Sequence, residues 1–342
     1  MKPPTDLPSL RSFFDSIDWS RMEKEVADEA HARLVIVGPV NSGKSTLFNL
    51  LKGQVVSEVS AVPGTTKTPV SEHFGPFTLV DTPGFGEVAG TDHSRSAQTE
   101  ISQAQLALLL LDAGAGVRQS DLNLYYEIRA ADVPVLVVLN KIDLVRRDLQ
   151  AVLSDLSFRL QGIQVIPISA RTGAGVTDQL IPAIIEANEA VAVVIGRTLP
   201  AYRALAARRI IRSAMWWSLL LGAEPIPGLD LPLLLGMQAR MILRLAAIYG
   251  ESFTAHHARE LLTTIAGSLV ARYLGMEVAK FVPGLGWVVS GIIAALGTVT
   301  MGNVAEAYFE SGRRLTPQQL RRLYQRMFRR PNTPPALPPA SS

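Results

Sequence analysis

A chain of 342 residues without cysteine has room for two domains with cores of their own, and it excludes disulfides and thiolate metal sites. Its mean hydropathy of +0.21 is high for a soluble enzyme and leaves membrane contact or a very apolar second domain open. The net charge of +3 conceals two opposite parts: residues 1–196 hold 16 basic and 23 acidic residues, a net of −7, whereas residues 197–342 hold 17 and 7, a net of +10. The two parts therefore face different electrostatic partners.

In chain order, residues 1–32 read as an N-terminal helical extension, with Trp19, Met22 and Val26 near helical spacing. Acids and bases run through residues 1–33, so no secretory leader is expected there. The apolar run Leu34–Val37 is short enough for a buried strand. Further buried strands are expected at Phe77–Val80 and at residues 106–111, 133–139 and 163–168. Polar helical stretches at 45–51, 95–103, 119–131, 146–160 and 176–192 separate most of them. This alternation predicts a mostly parallel sheet with helices on both faces, in which ligands bind beyond the carboxyl ends of the strands. That domain is expected over residues 33–195.

Each chemically informative motif falls at such a strand end. The first is Gly38-Pro-Val-Asn41-Ser42-Gly43-Lys44-Ser45-Thr46. Glycines let the backbone curl so that amides of residues 41–46 point at phosphate oxygens, and the following helix adds its positive end. Lys44 is placed to reach the β- and γ-phosphates, and Ser45 to put its hydroxyl on Mg²⁺. The second motif is Asp81-Thr-Pro-Gly84, where Asp81 can hold Mg²⁺ through a water and the Gly84 amide can sense the γ-phosphate. The third is Asn140-Lys141-Ile-Asp143. The Asp143 carboxylate can accept from both N1–H and the N2 amino group of guanine, a pair that adenine lacks, so it selects the base. Asn140 can bond the base edge and brace the phosphate loop, and the Lys141 stem can cover the ring. The fourth is Ser169-Ala170-Arg171, where the Ala170 amide is expected to meet guanine O6.

This motif set resembles the translation-factor-like P-loop GTPases, and within them the Era and TrmE group, over residues 33–190. The resemblance implies a chain that binds GTP and GDP and hydrolyses GTP with Mg²⁺. By position, Thr66 in Pro63-Gly-Thr65-Thr66-Lys resembles the threonine that joins Ser45 and Asp81 around the metal, with Thr65 as the alternative. Segments 57–70 and 84–97 take the places of the two nucleotide-sensing switches. Phe85 stands where Ras-like proteins carry a water-orienting glutamine. An apolar ring cannot orient water, and the family term is a hydrophobic-substituted GTPase. An asparagine at the position of Asn41 is associated in the TrmE-like group with a bound K⁺ near the β–γ bridge. The resemblance thus implies potassium-stimulated turnover, with Lys44, Thr66 and Asn41 as the catalytic groups. A loop-stabilising role for Asn41 is the alternative. No catalytic base is evident, so slow intrinsic hydrolysis, accelerated by a partner or by self-association as a homodimer, is expected.

Beyond residue 195 the strand and helix alternation stops. Residues 196–330 read as an all-α, possible membrane-associated domain, and residues 331–342, rich in Pro, Ala and Ser, as a disordered tail. Segments 224–230 and 281–286 resemble a helical domain found after some Era-like GTPases and in YcjF-type bacterial membrane proteins. Residues 281–305 carry no charge and exceed the roughly 20 residues needed to cross a bilayer. Five glycines and Asn303 within them suit a packed soluble bundle equally well. Arginines flank the apolar region on both sides, at 203, 208, 209 and 212, and at 313, 314, 321, 322, 326, 329 and 330. The positive-inside rule then disfavours a single crossing. Anionic lipid is a candidate partner. RNA or a ribosome is disfavoured, because aromatics barely interleave with the arginines. Glu224, Asp230, His256 and His257 read as caps and divergent helix positions rather than a metal set. The leading expectation is a cytoplasmic GTPase switch at a bacterial inner membrane. The alternatives are a soluble GTPase assisting ribosome assembly or tRNA modification, and a non-catalytic scaffold.

Overall fold

The computed structural model describes residues 18–58, 71–80, 98–145, 148–223, 230–251, 257–258, 261, 286–312 and 315–329. The chain divides into two compact units, one formed by residues 29–205 and the other by residues 1–28 with residues 206–342.

The first unit is built on six strands: β1 (Leu34–Val37), β2 (Ser71–Phe74), β3 (Phe77–Val80), β4 (Leu106–Asp112), β5 (Val135–Asn140) and β6 (Val165–Pro167). Their order across the sheet is β2-β3-β1-β4-β5-β6. Every pairing is parallel except β2 with β3. Strands covered on both faces read as unbroken apolar runs, and all four residues of β1, Leu-Val-Ile-Val, are buried. One face packs Val35, Val37, Leu109, Leu111, Val137 and Leu139 into a single cluster with Leu122, Ile128 and Leu156. These last come from α3 (Gln119–Ala130) and α4 (Leu149–Arg159). This unit also holds α2 (Lys44–Glu58), α5 (Ile181–Ala187) and α6 (Glu189–Thr198). An N-terminal helix, α1 (Trp19–Glu29), precedes the sheet in the chain.

Two features depart from the sequence expectation. β2, Ser-Glu-His-Phe, is a polar edge strand that hydropathy did not mark. A two-residue turn, with Gly75 at φ +56°, folds it onto β3. The stretch 176–192, expected as one helix, is a π-helical turn (Val176–Leu180) followed by α5 and α6. Asn188 makes the break: its extended backbone (φ −152°) stops α5, and its side chain accepts from the amides of Ala190 and Val191 to cap α6.

The second unit is helical, with α7 (Arg203–Gly222) running into it and α8 (Asp230–Ile248), α9 (Gly286–Glu310) and α10 (Pro317–Arg329) within it. Small residues let α7 and α9 touch: a Cβ built on Gly291 would lie 2.7 Å from the Leu219 carbonyl oxygen, and one on Gly302 would lie 2.7 Å from Ile211. A buried chain of hydrogen bonds ties three helices, with Gln238 Nε2 donating to Thr298 Oγ1 at 2.9 Å and Thr298 Oγ1 2.6 Å from Ser218 Oγ.

Candidate functional site

The phosphate loop leaves β1 at Gly38, whose φ of +149° no residue with a Cβ could hold here, since that atom would fall 2.2 Å from the Leu110 carbonyl oxygen. Asn41 also has a positive φ of +63° and is exposed on the loop. Lys44 opens α2 and is buried, its Nζ donating to the carbonyls of Gly38 (2.9 Å) and Pro39 (3.1 Å). The lysine therefore stands inside the loop it is expected to serve. Ser45 and Thr46 lie exposed in the first helical turn, with hydroxyls at the positive end of α2. The Ser42 hydroxyl is buried without a hydrogen-bond partner among the described residues.

The loop is braced from the far side of the sheet. Asn140, at the end of β5, is buried and donates from Nδ2 to the Ser42 carbonyl (2.8 Å), while its Oδ1 accepts from the Ala170 amide (2.8 Å). This bond passes so close to Gly43 that a Cβ there would sit 2.2 Å from Asn140 Nδ2. Asn140 thus ties the first motif to the fourth. The Ala170 amide, expected to meet guanine O6, is engaged by Asn140 in this structure.

Next along the chain, Lys141 takes a left-handed conformation (φ +65°). Its ammonium group donates to the Asn41 carbonyl and to Asp112 Oδ2, the latter at 2.6 Å. Asp112, the last residue of β4, also accepts from the amides of Gly114 (2.8 Å) and Ala115 (3.2 Å) through Oδ1. Burial raises the carboxyl pKa of Asp112, but the bonds from Lys141 and the two amides outweigh it and leave it below the usual range. The sequence reading missed Asp112. Its position at the end of a buried strand was the available signal, but nothing local in the chain says that Lys141 would arrive beside it.

Asp143 sits in a 3₁₀ turn, Ile142–Leu144. Ser169 Oγ donates to its Oδ1 at 2.6 Å, and Arg171 pairs with its Oδ2. The Ser169 hydroxyl foremost, with the Arg171 guanidinium, holds this carboxyl below its usual range, so it stands as an anionic acceptor. Arg171 was not among the expected site residues. Asn41, Ser42, Gly43, Lys44, Ser45 and Thr46 thus form one loop, and Asn140, Lys141, Asp143, Ser169 and Ala170 meet it at the ends of β5 and β6.

Thr65, Thr66, Asp81, Gly84, Phe85 and most of the two switch segments lie outside the described residues, as do His256, Glu224 and the Asp230 side chain. Of the three expected Mg²⁺ donors only Ser45 is described. Its exposed hydroxyl at the mouth of the loop is a hard oxygen donor that fits such a cation. Among the described residues no group of three or more His, Asp or Glu could hold a metal ion.

Comparison with known proteins agrees with this geometry. Residues 33–141 match the family model described as a 50S ribosome-binding GTPase, and residues 187–332 match a domain of unknown function, DUF697. GTPase Der of Desulforudis audaxviator is 36% identical over 155 residues, covering 43% of this chain and 35% of that protein. The tRNA modification GTPase MnmE of Moorella thermoacetica is 32% identical over 190 residues, covering 51% and 39%. GTPase Era of Clostridium acetobutylicum is 32% identical over 162 residues, covering 45% and 54%. The chain therefore spans only about a third to a half of the length of these relatives. Together with the sheet order and the braced loop after β1, these matches show that the chain carries a P-loop GTPase domain similar to those of Era, Der and MnmE, followed by a helical domain that matches DUF697.

Proposed function

We propose that this protein binds GTP, hydrolyses it to GDP and phosphate with Mg²⁺, and acts as a nucleotide-dependent switch at the cytoplasmic face of a bacterial membrane. The observation that carries the nucleotide part is the tethered guanine end, where Asp143 is held anionic by Ser169 and Arg171 while Lys141 is anchored between Asp112 and the phosphate loop.

The roles then follow from placement. Amides of residues 41–46 and the start of α2 cradle the phosphates. Lys44 exchanges its carbonyl partners for β- and γ-phosphate oxygens and draws off charge as the γ-phosphoryl group departs. Asp143 accepts from N1–H and N2 of guanine, and the Lys141 stem covers the ring. Ser45, Thr66 and Asp81 are the residues that would hold Mg²⁺, which neutralises phosphate charge when bound. Thr66 closes over the γ-phosphate and reports its loss, and Gly84 does the same from the second switch. Asn41 is the residue that would hold K⁺ beside the β–γ bridge. Water attacks in line without a side-chain base, so turnover is slow until a partner or a second copy engages.

Support for the membrane part comes from the helical domain. Within α9, the span Val288–Glu310 contains an 18-residue window of mean hydropathy 1.7 and is long enough to cross a bilayer by length and composition, and residues 197–342 carry 17 basic against 7 acidic residues. We divide the work accordingly, with residues 33–195 as the nucleotide domain and residues 196–330 as the membrane-facing one. The names of the matched relatives favour a second reading, a soluble GTPase that assists ribosome assembly or tRNA modification.

Two measurements separate these readings. Purified full-length protein should release phosphate from GTP in a magnesium-dependent way, with ATP left intact; absence of turnover leaves a scaffold. On cell fractionation the protein should sediment with membranes through high-salt washing, whereas co-migration with ribosomes would select the second reading.

A further inference from the structure

The helical unit carries an uncovered apolar face, and its neighbours on the chain indicate what covers it. Contacts fix how three helices run. Gly222 of α7 meets Gly291 and Ala294 of α9, and Ile211 meets Gly302, so these two helices are antiparallel. Gln238 of α8 meets Thr298, and Tyr249, just past its end, meets Glu306 and stacks on Phe309, so α8 runs parallel to α9. The carboxyl end of α7 and the amino ends of α8 and α9 therefore share one end of the bundle. At that end Trp216 (56% exposed), Trp217 (58%) and Leu220 of α7, Leu233 of α8, and Val289, Ile292 and Leu296 of α9 are all turned outward. Single exposed apolar residues are ordinary, but seven of them on three packed helices, two of them tryptophans, point to a contact surface.

Charge is absent from this section and returns at its borders. None occurs in residues 213–223, 231–239 or 281–305. Along the chain Glu224, Asp230 and Lys280 flank these stretches on one side, and Arg212, Arg240 and Glu306 on the other. From Arg212 to the end of α7 at Gly222 is about 15 Å at the helical rise, well short of the roughly 30 Å hydrocarbon core. A full crossing by α7 or α8 would draw charged side chains such as Arg212, Asp230 and Arg240 into hydrocarbon at a cost of several kcal/mol. Contact at the level of headgroups and upper acyl chains avoids that cost, and it is where tryptophan side chains settle. A helix packed on α9 is basic. Helix α10 packs Tyr324 near Gly297, adjacent to Leu296. The same helix exposes Arg321, Arg322 and Arg326 to solvent. Apolar side chains next to a row of guanidinium groups complement an anionic lipid surface.

We propose that the face formed by Trp216, Trp217, Leu220, Leu233, Ile292 and Leu296 docks peripherally into one leaflet of an anionic bilayer, with Arg322 and Arg326 gripping lipid phosphates. This deepens the membrane reading given above and rests on it, by naming the lipid surface and a mode of contact that does not span.

The test uses the full chain and flotation with phosphatidylcholine vesicles, with and without phosphatidylglycerol. Wild type is expected to float with the anionic vesicles, with a blue shift in tryptophan emission. Joint Trp216→Ser and Trp217→Ser should cut the bound fraction on the order of ten-fold or more while GTP turnover stays unchanged. Leu220→Gln with Leu233→Gln serves as a second variant pair should the first fold poorly. Arg322→Gln with Arg326→Gln should remove the preference for anionic over neutral vesicles. Undiminished flotation of the apolar variants overturns this face but leaves membrane attachment through another one standing. Wild type that ignores every vesicle yet sediments with cell membranes overturns the lipid contact and points to a membrane protein as the receptor. A stable dimer that the tryptophan variant dissolves, without flotation, overturns it in favour of a second copy.

Discussion

Asp112 shows what a single side chain does in this site. It accepts from Lys141 and from two backbone amides, so it fixes the lysine that is to cover the guanine ring and bond the phosphate loop. Asp112→Asn keeps the shape and removes the charge. It should weaken binding of a fluorescent guanine nucleotide on the order of ten-fold, in line with the loss of one charge-assisted bond, with little change in thermal midpoint. An unaltered dissociation constant would mean that Lys141 needs no anchor. A second prediction concerns Asn41. Phosphate release should be faster in KCl than in NaCl, and Asn41→Ala should abolish the difference; equal rates in both salts would leave Asn41 a role in loop structure alone. Residues whose chemistry is written in consecutive spacing, from Gly38 to Ser45 and from Asn140 to Asp143, were legible in the chain. Asp112 and Arg171 were not, because each acts on a partner 28 or 29 residues away that only the sheet brings near.

Individual elements were legible where burial wrote a pattern. β1, β3 and β4 are continuous apolar runs because both faces of a parallel strand are covered, and all three begin at the expected residue. β2 escaped notice because an edge strand with polar side chains carries no such pattern. The break between α5 and α6 hung on one capping side chain, Asn188. In the helical unit, close approach of α7 and α9 depends on glycine. Gly291→Ala would push a methyl group to 2.7 Å from a backbone oxygen and should cost about 1–3 kcal/mol. Gly236→Ala in α8, where nothing lies within 4 Å, should stabilise by roughly 0.5–1 kcal/mol. Chemical denaturation of the pair reads both signs. Near the end of α9, burial first and then the charge of Glu310 push the Glu306 carboxyl up to about 7, against opposing contributions from Tyr249 and Arg208. A raised acid favours the protonated fold. Its contribution is therefore fully present below the unfolded value of 4.5 and is lost as pH climbs toward 7. Glu306→Gln should accordingly gain on the order of 2 kcal/mol over wild type at pH 8 and little at pH 5. A pH-independent difference would contradict the assignment.

At the scale of the whole molecule, the charge contrast between residues 1–196 and 197–342 was plain from composition, and so was the change from alternating strands and helices to helices alone. What composition could not tell was that apolar residues from α7, α8 and α9 gather outward at one end, since exposure depends on helix direction and contact. The proposed function requires the loop of residues 38–46 to grip a triphosphate and the Asp143 carboxylate to choose the base. Competition binding with GTP, ATP and XTP, on wild type and on Asp143→Asn, tests it most directly. Xanthine offers a carbonyl oxygen where guanine offers an amino group, so an amide at position 143 should reverse the preference. Wild type should bind GTP at least about 100-fold more tightly than ATP, the worth of two hydrogen bonds to a charged group, and the variant should favour XTP over GTP. Comparable binding of ATP and GTP, or a variant that still prefers GTP, would contradict the assignment of this pocket.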